Sequence, residues 1–285
     1  MPEGIEMQLH LSGKTLDELA MDRLREFQPP EGYWLAFSGG KDSIVILDLA
    51  ERSGVRFEAH YNLTTVDPPE LVRFVRTFPQ VQVDRPELTM WELIRRERML
   101  PLRTSRFCCR ILKERGGDGR VVILGVRWGE SHRRRKRQMV EACYRDKMKR
   151  YVNPIIDWAR TDVWAYIHER GLRYCSLYDE GFSRVGCVLC PMISNCDEVR
   201  LHLERWPRLA GAYERSIRVA YKASPKRPTQ TVDDYWHWWL WERRSRATND
   251  EPVLFEDDPS MVDGDLDLDD FAILKRNFGT NCPRE

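Results

Sequence analysis

The chain has no apolar run approaching the roughly 20 residues of a membrane-spanning helix, and its first residues form no apolar signal segment. Membrane insertion and secretion are therefore not expected; a cytoplasmic location is. Nor does it have the evenly spaced cysteines of a small secreted scaffold. Its eight cysteines in 285 residues are bunched as Cys108-Cys109, then Cys187, Cys190 and Cys196, with Cys143, Cys175 and Cys282 apart. In a reducing compartment such bunching points to a metal or redox site rather than to disulfides. Internal repeats are absent. A dominant charge of one sign is absent too, since the net charge is +1. That mean hides an asymmetry: residues 250–285 hold eleven acids against three Lys/Arg, so the rest of the chain is basic. A basic body suggests an anionic partner.

What is present is an alternation of strand and helix patterns. Leu16, Leu19, Ala20, Leu24 and Phe27 share a helical face, and Pro29-Pro30 ends it. Tyr33–Phe37, Arg56–Asn62, Val81–Asp84 and Val121–Val126 read as strands. Residues 43–52, 69–78 and 91–98 read as helices between them. This order predicts an α/β fold with a doubly wound, mostly parallel sheet. A helix over 162–170 follows, capped by Thr161 and ended by Gly171, then helices over 197–222 and 232–246. The expected divisions are a helical lead-in (1–30), a nucleotide-binding α/β domain (31–172), a cysteine-bearing helical C-terminal part (173–247), and an acidic linker with a short helix (248–285).

The sharpest motif is Ser38-Gly39-Gly40-Lys41-Asp42-Ser43 between a strand and a helix. Glycines let backbone N–H groups approach an anion, and the helix that follows turns its positive end to the same place. Lys41 adds a mobile cation, and Ser38 and Ser43 add hydroxyl donors. The loop suits phosphate, and pyrophosphate in particular. Its spacing is not that of a Walker A loop.

This string resembles the PP-loop of the adenine-nucleotide α-hydrolase superfamily. Further segments make residues 31–192 similar to the phosphoadenosine phosphosulfate (PAPS) reductase family. Thr64, Pro69 and Glu70 resemble part of a nucleotide-contacting Asp-Thr-Gly-x-x-Phe-Pro-Glu-Thr segment, with Leu63, Thr65 and Pro68 departing from it. Gly125-Val126-Arg127 with Glu130-Ser131 resembles a Gly-x-Arg…Ser stretch. Asn153–Asp157 with Asp162-Val163-Trp164 resembles a proline–isoleucine turn and its helix. The resemblance implies ATP or an adenylyl-sulfate-type nucleotide along the strand ends, bound by Ser38–Ser43, Thr64, Glu70, Gly125 and Arg127. Lys41 would stabilise phosphate charge, and Asp42 would either place a magnesium ion or start the helix. Two chemistries are implied: adenylation by ATP followed by sulfur transfer, or attack of a cysteine on a sulfonucleotide with sulfite released. They imply a sulfur donor protein or a thiol reductant as partner. The Glu-Cys-Gly-x-His segment that carries the family's reductase nucleophile does not occur in this sequence, which favours transfer; a third reading is a non-catalytic nucleotide- or nucleic-acid-binding module.

Cys108, Cys109, Cys187 and Cys190 could hold a tetrahedral metal or a four-iron, four-sulfur cluster, with Cys196 as a substitute ligand. The double cysteine with Cys-x-x-Cys resembles the adenylyl-sulfate (APS) reductases and the enzymes of DNA phosphorothioation, which implies the cluster rather than zinc. Cys143 and Cys175 are read as buried thiols.

Arg133, Arg134, Arg135, Lys136 and Arg137, extended by Arg145, Lys147, Lys149 and Arg150, form a basic run for substrate or nucleic-acid phosphates. The aromatic stretch Tyr235–Trp241 reads as a helix packed on the core. The tail around Asp263–Asp270 resembles half of a dockerin calcium loop, but Pro259 and Met261 stand where its first ligands would be, so it reads as an acidic helix start.

Overall fold

Thr15 starts the first helix by a reciprocal cap. Its hydroxyl accepts the Glu18 N–H, and the Glu18 carboxylate accepts the Thr15 N–H at 2.9 Å. The same device, Thr89 with Glu92 and Thr231 with Asp234, starts two later helices. The computed structural model describes residues 13–143, 146, 148–223 and 231–242. They form two units, Met1–Glu87 with Cys109–Cys187, and Leu88–Cys108 with Val188–Glu285. The acidic tail, its short helix and Cys282 lie outside the described residues.

The first unit contains the whole sheet. Its helices are α1 (Leu16–Glu26), α2 (Lys41–Ser53), α3 (Pro69–Val75), α5 (His132–Arg135) and α6 (Arg160–Glu169); its strands are β1 (Tyr33–Ala36), β2 (Phe57–Asn62), β3 (Val81–Asp84), β4 (Val121–Ile123), β5 (Val140–Ala142) and β6 (Arg150–Val152). The sheet order is β3-β2-β1-β4-β6-β5. All neighbours are parallel except β5, which runs antiparallel to β6. The doubly wound, mostly parallel α/β architecture is as the strand–helix alternation predicts.

Two strands go beyond that prediction. β5 and β6 are three residues each and flank the basic stretch, too short for a period-2 pattern to register. β4 also stops at Ile123, and the chain turns off the sheet before Gly125. Helix α6 begins two residues earlier than Thr161 implied. Ala159 is its N-cap and supplies no side chain, so Asp162 accepts the Ala159 N–H at 2.6 Å instead.

Helix α2 carries Ile44, Val45, Ile46, Leu47, Leu49 and Ala50 into the core, none more than 3% exposed. It is apolar nearly all round because it packs on α1 and α6 as well. Burial of each such large side chain contributes roughly 1.5–3 kcal/mol. Gly54 ends the helix with φ 72°, a left-handed cap.

Polar ties join the same helices. Arg52 of α2 donates to Asp17 of α1 at 2.9 Å and to the Tyr166 hydroxyl of α6 at 2.8 Å; Tyr166 donates to Asp48 at 2.5 Å. Arg23 grips Asp157 with two bonds of 2.8 and 2.7 Å and reaches the Pro154 carbonyl at 2.7 Å, fixing the turn before α6.

The second unit is built of α4 (Met90–Glu97), α7 (Cys196–Arg205), α8 (Pro207–Ala223) and α9 (Val232–Leu240). The single helix expected over 197–222 is two, because Trp206 leaves helical geometry (φ −130°, ψ 58°) before Pro207, which opens a new helix. Helix α4 packs on α8. Trp91 meets Tyr213 edge-on at 5.2 Å, and Tyr213 meets Trp239 at 5.4 Å. Trp239 is fully buried and donates its indole N–H to the Pro101 carbonyl at 2.9 Å. The segment 88–108 thus belongs with the C-terminal helices rather than with the nucleotide-binding domain in which sequence order places it. Among the described residues no helix is long and apolar enough to cross a membrane.

Burial alone would raise the Asp17 carboxyl. The Thr15 hydroxyl and the Arg52 guanidinium outweigh it and hold the group below the ordinary 3.8. Its folded pKa is depressed, so its contribution is complete above 3.8 and is lost as the pH falls through the lower folded value. Asp17→Asn is expected to cost about 1 kcal/mol at neutral pH. Urea midpoints of variant and wild type should converge in acid; a gap that does not narrow would show that this carboxylate is not the titrating tie.

Candidate nucleotide site

Strand β1 leaves the sheet at Ala36, between β2 and β4. From β1 the chain winds outward through β2 and β3 on one side, while β4 continues on the other. That reversal is the topological switch point, outside whose carboxyl ends ligands of doubly wound sheets bind. Ser38–Ser43 follows β1 there, and Gly125–Arg127 follows β4.

The loop is shaped from both sides. Gly39 has φ 70°, and a Cβ on it would lie 2.6 Å from Leu71 Cδ1 and 2.8 Å from Val75 Cγ2, both on α3. Only glycine meets both conditions. Inside the loop, Ser38 Oγ accepts the Gly40 N–H at 3.4 Å and donates to Ser43 Oγ at 3.2 Å. Ser43 Oγ in turn donates to the Gly40 carbonyl at 2.8 Å. Both serine hydroxyls are thus hydrogen-bonded within the loop.

Asp42 organises the cations. Its Oδ2 accepts the Lys41 ammonium at 2.7 Å and its Oδ1 accepts Arg127 Nε at 2.6 Å. Arg127 is 3% exposed. It also donates to the Trp158 carbonyl at 3.3 Å, and its own N–H is held by Glu130 at 2.9 Å. Arg127 is thus a buried positioning residue for Asp42. Gly125 lies against the same residue: a Cβ there would come within 3.0 Å of the Asp42 carbonyl carbon. With one oxygen on each cation, Asp42 holds Lys41 and Arg127 in place.

The remaining expected residues are placed as follows. Thr64 is buried; its N–H is held by Asp67 at 2.7 Å, and its hydroxyl lies 3.4 Å from Cys187 Sγ. Glu70 is half-buried in the first turn of α3. In the first unit, Cys109 opens a single π-helical turn (Cys109–Lys113) and Cys187 adjoins Thr64. In the second unit, Cys108 is buried and Cys190 is half-buried. Cys196 opens α7 and is disulfide-bonded, so it supplies no thiolate. Among the described residues no three His, Cys, Asp or Glu side chains form a group that could hold a metal ion.

In the basic run, Arg133, Arg135 and Lys136 are exposed, Arg134 pairs with Glu130, and Arg137 pairs with Glu141. Lys149 does not extend it. That side chain is buried and donates to the Gly116 carbonyl at 2.6 Å. Arg145 and Lys147 lie outside the described residues.

Sequence reasoning missed Tyr178. It ends a 3-10 turn (Ser176–Tyr178), and its hydroxyl accepts the Lys41 N–H, the first amide of α2, at 3.0 Å. The two residues are 137 positions apart, and no local pattern announces the contact.

Strand order and loop together define a doubly wound nucleotide-type α/β domain with its phosphate loop at the switch point. The chain belongs to the phosphoadenosine phosphosulfate reductase domain family, whose sequence model matches residues 32–193. An uncharacterised protein of Methanocaldococcus jannaschii is 32% identical over 61% of this chain and 44% of its own length. The phosphoadenosine 5'-phosphosulfate reductase of Gloeobacter violaceus is 31% identical over 54% of this chain and 68% of its own. A probable FAD synthase of Schizosaccharomyces pombe is 27% identical over 57% and 62%. The chain spans under half the length of the first curated relatives it matches, 44% and 41%. A solved PAPS reductase from Candida auris, in a phosphate complex, aligns over 63% of this chain and 96% of its own at 18% identity and a TM-score of 0.47.

Removing Arg127 would leave Asp42 with one cation and the Trp158 carbonyl without this donor. Arg127→Met is expected to cost about 3 kcal/mol, the low end for a broken buried pair because Lys41 remains. Urea denaturation measures it, and a loss below about 1 kcal/mol would show that the pair does not fix the loop.

Proposed function

We propose that this chain binds an adenine nucleotide, ATP or an adenylyl sulfate, across the switch point, and uses it to activate an acceptor for sulfur. The observation that carries this reading is the Lys41–Asp42–Arg127 ion triad beside the N-terminus of α2. It sets a cation and the positive end of α2 where phosphate charge would develop on a leaving pyrophosphate. With ATP, the acceptor's oxygen attacks the α-phosphorus, the α–β bridge breaks and pyrophosphate leaves. A sulfur nucleophile from a donor protein then displaces AMP, which carries away the acceptor oxygen. A nucleic-acid acceptor is supported by the exposed Arg133, Arg135 and Lys136 on the segment that follows Arg127.

A second reading is reduction of a sulfonucleotide with release of sulfite. It is favoured by Cys187, whose sulfur lies against Thr64, and by the relatives named PAPS and APS reductase. The cluster on Cys108, Cys109, Cys187 and Cys190 rests on donor chemistry alone, and neither reaction is routed through it.

Lys41→Ala is expected to weaken ATP binding by about 10–100-fold, the value of one charge-assisted contact. It should also abolish acceptor-dependent pyrophosphate release. Sulfite release from adenylyl sulfate, lost in Cys187→Ser, would establish the second reading instead; absence of nucleotide binding under all conditions would sink both. Anaerobically purified protein with a broad visible absorption bleached by dithionite would support the cluster, and a colourless protein would refute it.

A further inference from the structure

The two serine hydroxyls of the loop are bonded within it. Ser38 donates to Ser43, and Ser43 donates to the Gly40 carbonyl. Tyr178 is the hydroxyl that remains. Its oxygen accepts the Lys41 N–H at 3.0 Å and stands 3.5 Å from where a Gly40 Cβ would be, directly over the loop. The Val185 backbone N–H bears on the same oxygen. Among the described residues no acceptor takes the Tyr178 proton. Burial pushes this phenol up to about 12, so the proton is present throughout the physiological range. An O–H whose oxygen already accepts from N–H groups is polarised into a stronger donor.

The ring is held in position. Trp164 of α6 meets it edge-on at 5.1 Å and Tyr174 at 6.3 Å, while Tyr174 itself donates to Asp179 at 3.0 Å. The hydroxyl is therefore presented by a packed aromatic cluster rather than by a mobile loop, which is what precise positioning of a donor requires.

We propose that Tyr178 is a positioning residue of the nucleotide site, donating its hydroxyl proton to a phosphate oxygen seated at the N-terminus of α2. The proposal rests on the nucleotide-binding reading above. It makes the site selective for a ligand with an anionic oxygen at that point, since an uncharged group there would leave the hydroxyl and the helix end without an acceptor.

Binding of ATP, inorganic pyrophosphate and adenosine to the full chain tests it, by calorimetry on wild type, Tyr178→Phe and Lys41→Ala. Tyr178→Phe keeps the ring packing, and its unliganded melting temperature checks the fold. It should weaken ATP and pyrophosphate by about tenfold or more, the value of a hydrogen bond to a charged group, and leave adenosine unchanged. A ring-fluorinated tyrosine at 178, measured below its own pKa, is a stronger donor and a weaker acceptor. It should tighten pyrophosphate binding, whereas a purely structural acceptor for Lys41 would not. Tyr178→Phe binding as wild type while Lys41→Ala loses affinity would overturn the proposal and leave the nucleotide reading intact. Tighter binding by Tyr178→Phe would also overturn it, marking the hydroxyl as a competitor for the amide. Failure of wild type to bind ATP or pyrophosphate would overturn both.

Discussion

Asp42 places a negative charge at the N-terminus of α2, and that charge is already committed to two cations. Lys41, Arg127 and the positive end of α2 converge on a small volume. Without a carboxylate among them they would repel one another. With it, two cations are held and a net positive field remains for a ligand. Gly125 allows the approach of β4's exit to Asp42, and Gly39 allows the approach of α3 from the other side. The loop after β1, the turn after β4 and the Trp158 carbonyl all meet through this one residue.

Much of the fold was legible because its elements are long or bluntly marked. Helix α2 could be read from its apolar run and from Gly54, and α1 from its helical face and Pro29-Pro30. β5 and β6 could not, because three residues carry no period. α6 starts at Arg160, with Ala159 rather than Thr161 at the N-cap, because the Asp162 carboxylate accepts the Ala159 N–H and steadies that end. The division of the chain was hidden for a different reason. Residues 88–108 join α7, α8 and α9 through contacts such as Trp239 with Pro101, which connect positions 138 apart.

In the site, the residue types that bind phosphate were legible and their partners were not. Lys41 and Asp42 stand out in the motif, but their pairing with each other and with Arg127 depends on two strands lying side by side. Ser38 and Ser43 look like ligand donors until the loop closes and turns them on one another. Lys149 looks like part of a basic surface until its carbonyl partner at Gly116 is seen. Tyr178 carries no sequence signal because an isolated tyrosine in a turn is an ordinary residue. The cysteines are conspicuous in the sequence, and the boundaries between the two units fall among them, after Cys108 and after Cys187.

The hydroxyl relay from Ser38 through Ser43 to Gly40 has a kinetic consequence. A loop that satisfies its own donors and is pressed by Leu71 and Val75 has its shape before any ligand arrives. Little ordering entropy is then lost on association, and encounter rates should vary little from one nucleotide to another. Discrimination among phosphate ligands at this loop would be expressed in how long each one stays.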